Sequence, residues 1–415
     1  MKWPPAHRLS AARNSPVAIA RVLFIGIIAS TRRIEGTGGD PLQVQSHEER
    51  KVSVVIPTWR REDLLQNCLE SLRGQTFKDF NTVVVSNGAG EPAARLAESL
   101  GCTLIKLPVN RGFAAGVNAG IAAARSPYVV VLNDDVELDR RWLEQTVSFL
   151  EEHSDIAFCC GKIHQADGVL LDNAGDALSL GGSAWRLGFG RKDTGQYDQP
   201  RPVWAVSGTA TLFRRSAFEQ VGQQVGQHGG MFDEDFFAYL EDMDWSLRAA
   251  RAGLQGFYLP PATCRHRGSA TLGGADSATV IRQLTQNQLL LLAKHYPATL
   301  LLRLGFRIAW AQILWALLAM RKRRFGAYLA GVAGFLRLLP GAIRRRVRST
   351  PNERHALLAR LRESEREIFA DVSAPDRTER DTFWRLYFGL FPPRGRPEAR
   401  TPEGRQTPAP RSTHF

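Results

Sequence analysis

From residue 52 onward the chain alternates short apolar runs with amphipathic stretches, and that alternation restricts it to an α/β architecture. Residues 52–56, 82–85, 103–107 and 128–132 have the length and composition of buried strands. Residues 62–72 and 92–100 carry helical spacing, and 110–124 read as a loop turning into a small-residue helix. Strands joined through helices pair in parallel, so the pattern predicts a doubly wound, mostly parallel sheet. The last of these runs closes on Asn133-Asp134-Asp135. Side chains placed there emerge at the C-terminal edge of the sheet, where open α/β folds bind ligands and where Mg2+ or Mn2+ can bridge a carboxylate to a phosphate. A second acidic cluster, Glu241-Asp242-Met243-Asp244, follows much later in an aromatic-rich segment.

At 415 residues the chain exceeds one ordinary domain. The expected division is an N-terminal extension (1–50), an α/β domain (51–276), a helical region (277–348) and a basic tail (349–415) that is partly helical and then disordered. The net charge of +13 invites a nucleic-acid reading, but the basic excess lies after residue 276 while the central segment is slightly acidic. An acidic α/β domain is a poor clamp for nucleic acid, so no nucleic-acid partner is expected; a basic tail beside apolar helices suits an anionic membrane surface. Residues 300–320 are strongly apolar but hold Arg303 and Arg307, and Arg321-Lys322-Arg323-Arg324 follows. Two internal arginines favour a helix lying in the membrane interface over one that crosses it. Residues 17–29 are apolar, broken by Arg21, and too short to span a bilayer, so the first 50 residues are read as a dispensable extension or the product of an upstream start. A short helix is expected at 353–369 and disorder after Pro392. The five cysteines are scattered and odd in number, which indicates buried reduced thiols rather than a zinc site or disulfide framework.

Past Asp139 the pattern loosens. Gly-rich stretches at 181–182 and 188–195 suggest loops on the acceptor side of a cleft, a helix is expected at 236–251, and a strand at 255–259 precedes Cys264-Arg265-His266.

The opening Val52-Ser53-Val54-Val55-Ile56-Pro57-Thr58-Trp59-Arg60-Arg61 resembles the first strand and loop of family-2 glycosyltransferases. Asn110-Arg111-Gly112-Phe113-Ala114-Ala115-Gly116-Val117-Asn118-Ala119-Gly120, Leu132-Asn133-Asp134-Asp135, Ser207-Gly208-Thr209 and Phe237 through Arg248 continue the likeness in order. Lys294-His295-Tyr296-Pro297 is similar to the C-terminal part of rhamnosyltransferase-like members. The resemblance implies a GT-A fold, which is a Rossmann-like doubly wound sheet, here with a C-terminal helical membrane-associating segment. It also implies inverting transfer of a sugar from a nucleotide-diphosphate donor, with Mg2+ or Mn2+, to a saccharide or lipid-linked saccharide acceptor. Rhamnose on a thymidine diphosphate is the narrower expectation, for cell-surface polysaccharide synthesis on the inner face of the plasma membrane.

A diphosphate leaving group gathers negative charge as the sugar departs, and a divalent cation on its oxygens offsets that charge. Asp135 is the expected ligand, Asp134 holds ribose or a cation-bound water, and Asn133 stands at the first acid of the family's D-x-D pattern. Without a ligand to hold, the same three groups would only cap the turn after a strand. His266 matches a position where some members place a histidine on the metal, although a lone histidine is otherwise structural. An acceptor hydroxyl needs a base, and Asp242 is the family-matched one; Glu241 projects about 100° away around a helix, so only one of the two should face the acceptor squarely. Asp244 and Arg248 are spaced for an intrahelical pair. Pro57, Thr58, Asn87, Asn110, Arg111, Gly112 and Asn118 are the expected donor contacts, and Trp204, Ser207 and Gly208 the acceptor contacts. Ser86 stands where members usually have an Asp on the nucleotide. Phe232, Phe236 and Phe237 are expected in the core, and Asp233 as a helix cap. Two other readings remain: a nucleotide-sugar-binding scaffold of this fold without turnover, and a sugar nucleotidyltransferase, which would require a Gly-rich triphosphate loop in place of Pro57-Thr58-Trp59.

Overall fold

The computed structural model of the chain describes residues 50–225, 231–268, 276–346, 349–377 and 381–393. The expectations for residues 1–49 and for the segment after 393 lie outside them. The described residues form one compact unit. Its first half runs β1 (Val52–Thr58), α1 (Glu62–Arg73), β2 (Phe80–Asn87), α2 (Glu91–Ser99), β3 (Thr103–Leu107), α3 (Phe113–Ala123) and β4 (Tyr128–Leu132). There follow β5 (Val136–Leu138), α4 (Trp142–Glu152), β6 (Ile156–Gln165), β7 (Leu171–Asn173), β8 (Asp176–Leu178), β9 (Ala184–Arg186), β10 (Arg201–Val203), β11 (Ala210–Arg214), α5 (Arg215–Val225), α6 (Glu241–Arg251) and β12 (Gln255–His266). Five helices end the described chain: α7 (Ala278–His295), α8 (Ala298–Arg321), α9 (Phe325–Arg344), α10 (Pro351–Val372) and α11 (Thr382–Leu390).

The main sheet has the order β10-β12-β6-β11-β4-β1-β2-β3, with β5 on β12 and β7 on β6. The strands β4, β1, β2 and β3 pair in parallel, as their crossover helices require. Beyond β4 the expectation of a mostly parallel sheet fails. β11 runs antiparallel to both β4 and β6, and β10 antiparallel to β12, so the sheet is mixed. That reversal has a consequence for the site. Ala210 opposes Leu132, so the start of β11 lies at the same edge as the end of β4. β12 pairs antiparallel with β5, His266 opposite Val136, so its end reaches that edge too. His266 is thus the last residue of a twelve-residue strand rather than part of a loop after a short one.

Alternating strand residues feed two cores. Val52, Val54 and Ile56 meet α1, α2 and α4 through Leu65, Leu69, Ala93, Trp142 and Val147. Val55, Val83 and Val131 face the other way, against α3, α5 and α6 through Val117, Ile121, Phe218 and Trp245. The result is a helix–sheet–helix sandwich. Four of the five cysteines are buried and Cys102 is half-buried, all of them unpaired. α4, which the loosened pattern past Asp139 did not reveal, exists because Trp142, Leu143, Val147 and Leu150 share one buried face.

A third core joins the C-terminal helices to this sandwich: Leu290, Leu291, Leu292, Tyr296, Leu300 and Leu361 pack on Leu178, Phe236, Met243 and Leu247. α8 and α9 are each long and apolar enough to cross a membrane by length and composition, with mean hydropathy 1.4. Each leaves one apolar stripe in the open. On α8 it is Leu302 (84% exposed), Phe306 (73%), Ile313, Leu317 and Met320; on α9 it is Phe325, Leu329, Leu336 and Ile343. The spacings of three, four and seven put each set on one helical face.

α3 touches the sheet closely because Gly120 lets it. A β-carbon there would stand 2.2 Å from Val55 Cγ1 and 3.2 Å from Val85 Cγ2. Gly120→Ala should therefore lower stability by about 1–3 kcal/mol through overpacking, despite the better helix propensity of alanine. Urea unfolding checks this; an unchanged or higher midpoint would contradict the close approach.

Candidate active site

The ends of β1, β4 and β12, the residues leading into β11 and the start of α6 surround one cavity of about 460 Å3. That volume is within the range of small-molecule sites. Its lining contains Pro57, Thr58, Asn87, Asn110, Gly112, Asn133, Asp134, Asp135, Ser207, Gly208, Glu241, Asp242 and His266, most of the residues singled out in the sequence.

Asn87, at the end of β2, latches the loop before α3. Its amide nitrogen donates to the Gly112 carbonyl (2.8 Å) and to Asn110 Oδ1 (3.2 Å), and its Oδ1 accepts from the Arg111 N–H (2.9 Å). Gly112 has φ +91°, and a β-carbon there would lie 2.4 Å from the Phe237 carbonyl oxygen, so only glycine lets this loop meet the segment before α6. Three expected contacts lie elsewhere. Arg111 turns outward to Glu234 (2.9 Å). Asn118 spends its amide on the backbone of Phe232, donating at 2.9 Å and accepting at 3.0 Å, so it braces the wall from behind. Trp204 is half-buried beside the third core and lines a small separate recess with Arg201 and Gly175. Trp185 supplies an aromatic at the cavity instead. Ser86 is buried but does not line the cavity. Phe232 and Phe236 are core, whereas Phe237 lines the cavity.

The turn after β4 is tied to β11 by the Asn133 N–H donating to the Thr209 carbonyl (2.9 Å). Asn133 Oδ1 and Asp134 Oδ2 are buried without a hydrogen-bond partner. Burial, reinforced by the adjacent Asp135, pushes the Asp134 carboxyl up to about 7. Asp135 Oδ1 lies 3.2 Å from His266 Nε2, and His266 Nδ1 lies 3.0 Å from Asp172 Oδ2. Asp172 in turn accepts from Arg186 Nη1 at 2.6 Å. Among the described residues no three of His, Cys, Asp and Glu are grouped to hold a metal ion. Two donors facing one another across 3.2 Å, with orphaned carboxylate and amide oxygens beside them, still fit a cation that arrives on a diphosphate, since Mg2+ is commonly held by one or two protein groups plus phosphate and water.

The backbone leading to Asp242 is strained. Phe237, Tyr239 and Leu240 have φ of 60°, 71° and 65°, and Leu240 caps α6. Asn287 of α7 stabilises that segment, its amide nitrogen donating to the carbonyls of Phe236 (2.8 Å), Ala238 (2.8 Å) and Tyr239 (2.7 Å). The strain delays helix formation, so the helix expected from 236 begins at Glu241. Asp242 accepts from the Gly208 N–H (2.9 Å) and the Met243 N–H (2.7 Å), which fixes its carboxylate at the cavity wall. Burial raises the Asp242 carboxyl above its ordinary value, and burial together with Asp242 raises Glu241 well above its own. Glu241 also lines the cavity, because both acids belong to the first turn of α6 and that turn borders it. Asp176, a residue the sequence did not flag, is a further acid here; burial and then Asp242 hold it at about 7.

Asp244 stands outside the cavity. It accepts from Arg248 (2.9 Å), pairs with His295 (2.8 Å) and meets Lys294, which also reaches Asp233. Asp233 caps the short turn Glu234–Phe236 by accepting from the Asp235 N–H. The Lys294-His295 motif therefore anchors α7 to α6, the helix that carries Asp242.

Compared with known proteins, residues 53–222 match the model of glycosyl transferase family 2. The chain is 27% identical over 241 residues to uncharacterized protein y4gI of Sinorhizobium fredii, covering 54% of this chain and 25% of that protein. It is 30% identical over 217 residues to the O-antigen biosynthesis protein RfbC of Myxococcus xanthus, covering 49% and 16%. With the N-acetylglucosaminyl-diphospho-decaprenol L-rhamnosyltransferase of Mycobacterium tuberculosis it shares 29% over 244 residues, covering 53% and 77%. The chain thus spans only a quarter or less of the first two relatives.

His266 has a pH signature. Burial works to lower it, but Asp135 and Asp172 outweigh burial and raise it from 6.5 to about 9. The charged imidazole thus contributes stability that is complete below about pH 6.5 and lost as pH rises through about 9. Urea unfolding of the metal-free protein should show that decline, and His266→Gln should flatten it between those values; an identical profile in both proteins would contradict the pairing.

Proposed function

We propose that this family-2 glycosyltransferase moves a sugar, with inversion, from a nucleotide-diphosphate donor to a saccharide or lipid-linked saccharide, using Asp242 as base and Asp135 with His266 at the diphosphate. The observation that carries the reading is convergence: Asp135 and Asp242, from opposite ends of the catalytic segment, line the same cavity.

Pro57, Thr58, Asn87 and Asn110 are the groups for the nucleoside, and Asp134 for ribose. When bound between Asp135 and His266, a divalent cation would offset the charge that grows on the diphosphate. Asp242 takes the proton from the acceptor hydroxyl as that oxygen attacks the anomeric carbon and the bond to the diphosphate breaks. Two features of this carboxylate suit the task. Its raised proton affinity makes it a stronger base than an ordinary aspartate, and the Gly208 and Met243 N–H groups hold it in one orientation. No protein nucleophile is needed, so one displacement inverts the centre. Rhamnose as the sugar, and an N-acetylhexosaminyl diphospholipid as the acceptor, are the specific forms that the mycobacterial relative suggests.

Asp242→Asn should lower transfer by about 10^2–10^4-fold while leaving the affinity for the nucleoside diphosphate nearly unchanged. Asp135→Ala should instead weaken nucleoside-diphosphate binding in the presence of Mn2+ and leave the metal-free affinity alone. Calorimetry with and without Mn2+, beside a donor-hydrolysis assay over a panel of nucleotide sugars, separates the two; equal losses in both variants would remove these roles.

The stripes on α8 and α9 support a peripheral place on the inner membrane surface. Their apolar rows would lie among lipid tails with Arg303, Arg321, Lys322, Arg323 and Arg324 at the headgroups. The full chain should sediment with vesicles rich in phosphatidylglycerol, and Phe306→Ser with Leu329→Ser should release it without lowering its melting temperature. Vesicle binding that both substitutions leave intact would refute this placement.

A further inference from the structure

Part of the cavity wall is the β8–β9 hairpin and the turn after it, through Asp176, Ala184, Trp185, Arg186 and Phe189. Each strand has three residues, and Asp176 pairs with Arg186 across the ribbon. So short a hairpin has no stability of its own in water. Besides neighbours such as Asn173 and Asp172, it is held by side chains of α10 and α11, late in the chain. The Leu178 N–H donates to Ser364 Oγ (2.7 Å), the Leu180 N–H to Glu365 Oε1 (3.0 Å), the Gly181 N–H to the Tyr387 hydroxyl (3.0 Å) and the Gly188 N–H to Asp371 Oδ1 (3.2 Å). The Trp185 indole N–H donates to Asp371 Oδ2 (2.6 Å), and Arg377 backs the Trp185 ring at 5.2 Å. All four acceptor side chains are buried, so each bond is made where an unpaired N–H would be costly.

We propose that this hairpin is the acceptor subsite, taking a hexopyranose ring against Trp185 and Phe189 with its hydroxyls on Asp176 and Arg186, and that α10 and α11 are its positioning elements. An aromatic edge beside a carboxylate and a guanidinium offers the apolar and paired polar contacts that a sugar ring presents. Gly208, whose N–H holds the Asp242 carboxylate, lines the same cavity, so a ring on the hairpin is presented to the candidate base. Helices far beyond the family-matched segment thereby become part of acceptor recognition. The inference rests on the transferase reading for its direction, and its test does not depend on turnover.

Saturation-transfer NMR of the full chain with Mg2+ and saturating nucleoside diphosphate, titrated with a panel of methyl hexopyranosides, measures the subsite alone. Trp185→Ala should weaken sugar binding at least about fivefold, with nucleoside-diphosphate affinity by calorimetry held within about twofold. Tyr387→Phe keeps the ring volume and removes the hydroxyl that accepts from Gly181 and donates to Glu365 at 2.6 Å; it should weaken sugar binding in the same sense with the nucleotide affinity again unchanged. Absence of sugar binding to the unaltered chain, unchanged sugar affinity in both variants, or sugar and nucleotide affinities falling together would overturn the proposal. Sugars that bind at the hairpin but receive nothing from any donor would sink the transferase reading and leave the subsite standing.

Discussion

Like charges confined in a buried cleft set the terms for everything around them. The cavity holds Asp134, Asp135, Asp176, Glu241 and Asp242, faced by Arg186 and His266. Such a cluster survives folding in three ways: N–H groups solvate one carboxylate, opposite charges hold others, and burial drives protons onto the rest. Each occurs here. Gly208 and Met243 hold Asp242, His266 faces Asp135, and Asp134 and Asp176 are pushed up to about 7. Oxygens left without partners on Asn133, Asp134 and Glu241 mark where that compensation stops.

The sheet explains why these groups meet. β4 and β12 end at one edge, and β11, reversed relative to β4, starts there. Acids, histidine and the Ser207–Thr209 turn are therefore delivered to one place by strands distant in sequence. α6 is brought to the same edge by backbone held in a left-handed conformation and secured by Asn287 from a later helix. The Lys294, Asp244 and Arg248 cluster fixes α7 on α6, so the C-terminal helices brace the helix that carries Asp242 as well as carrying the apolar stripes.

Local pattern made the first half of the fold legible. Strands 103–107 and 128–132 stand where periodicity put them, and Asp135, Asp242 and His266, singled out with the help of the family resemblance, line one cavity. What escaped was non-local. Asp172, Asp176 and Trp185 sit in short strands with no measurable alternation, and they gain meaning only through partners such as Asp371, 186 positions from Trp185. Trp204 and Trp185 are indistinguishable as residue types; burial by the third core against position on the cavity wall separates them. Asn118 and Arg111 fit the donor motif by type, yet the backbone of Phe232 and the Glu234 carboxylate claim their side chains.

The central claim is that Asp135 and His266 face Asp242 across a space meant for a cation-held diphosphate. Crystals grown with Mn2+ and a nucleoside diphosphate give the most direct test, through the anomalous signal of manganese. The account predicts one strong peak within bonding distance of Asp135 Oδ1 and His266 Nε2, with the diphosphate on it and Asp242 on the facing wall. A nucleotide bound with no metal peak at that pair, or a peak ligated by other residues, would contradict it.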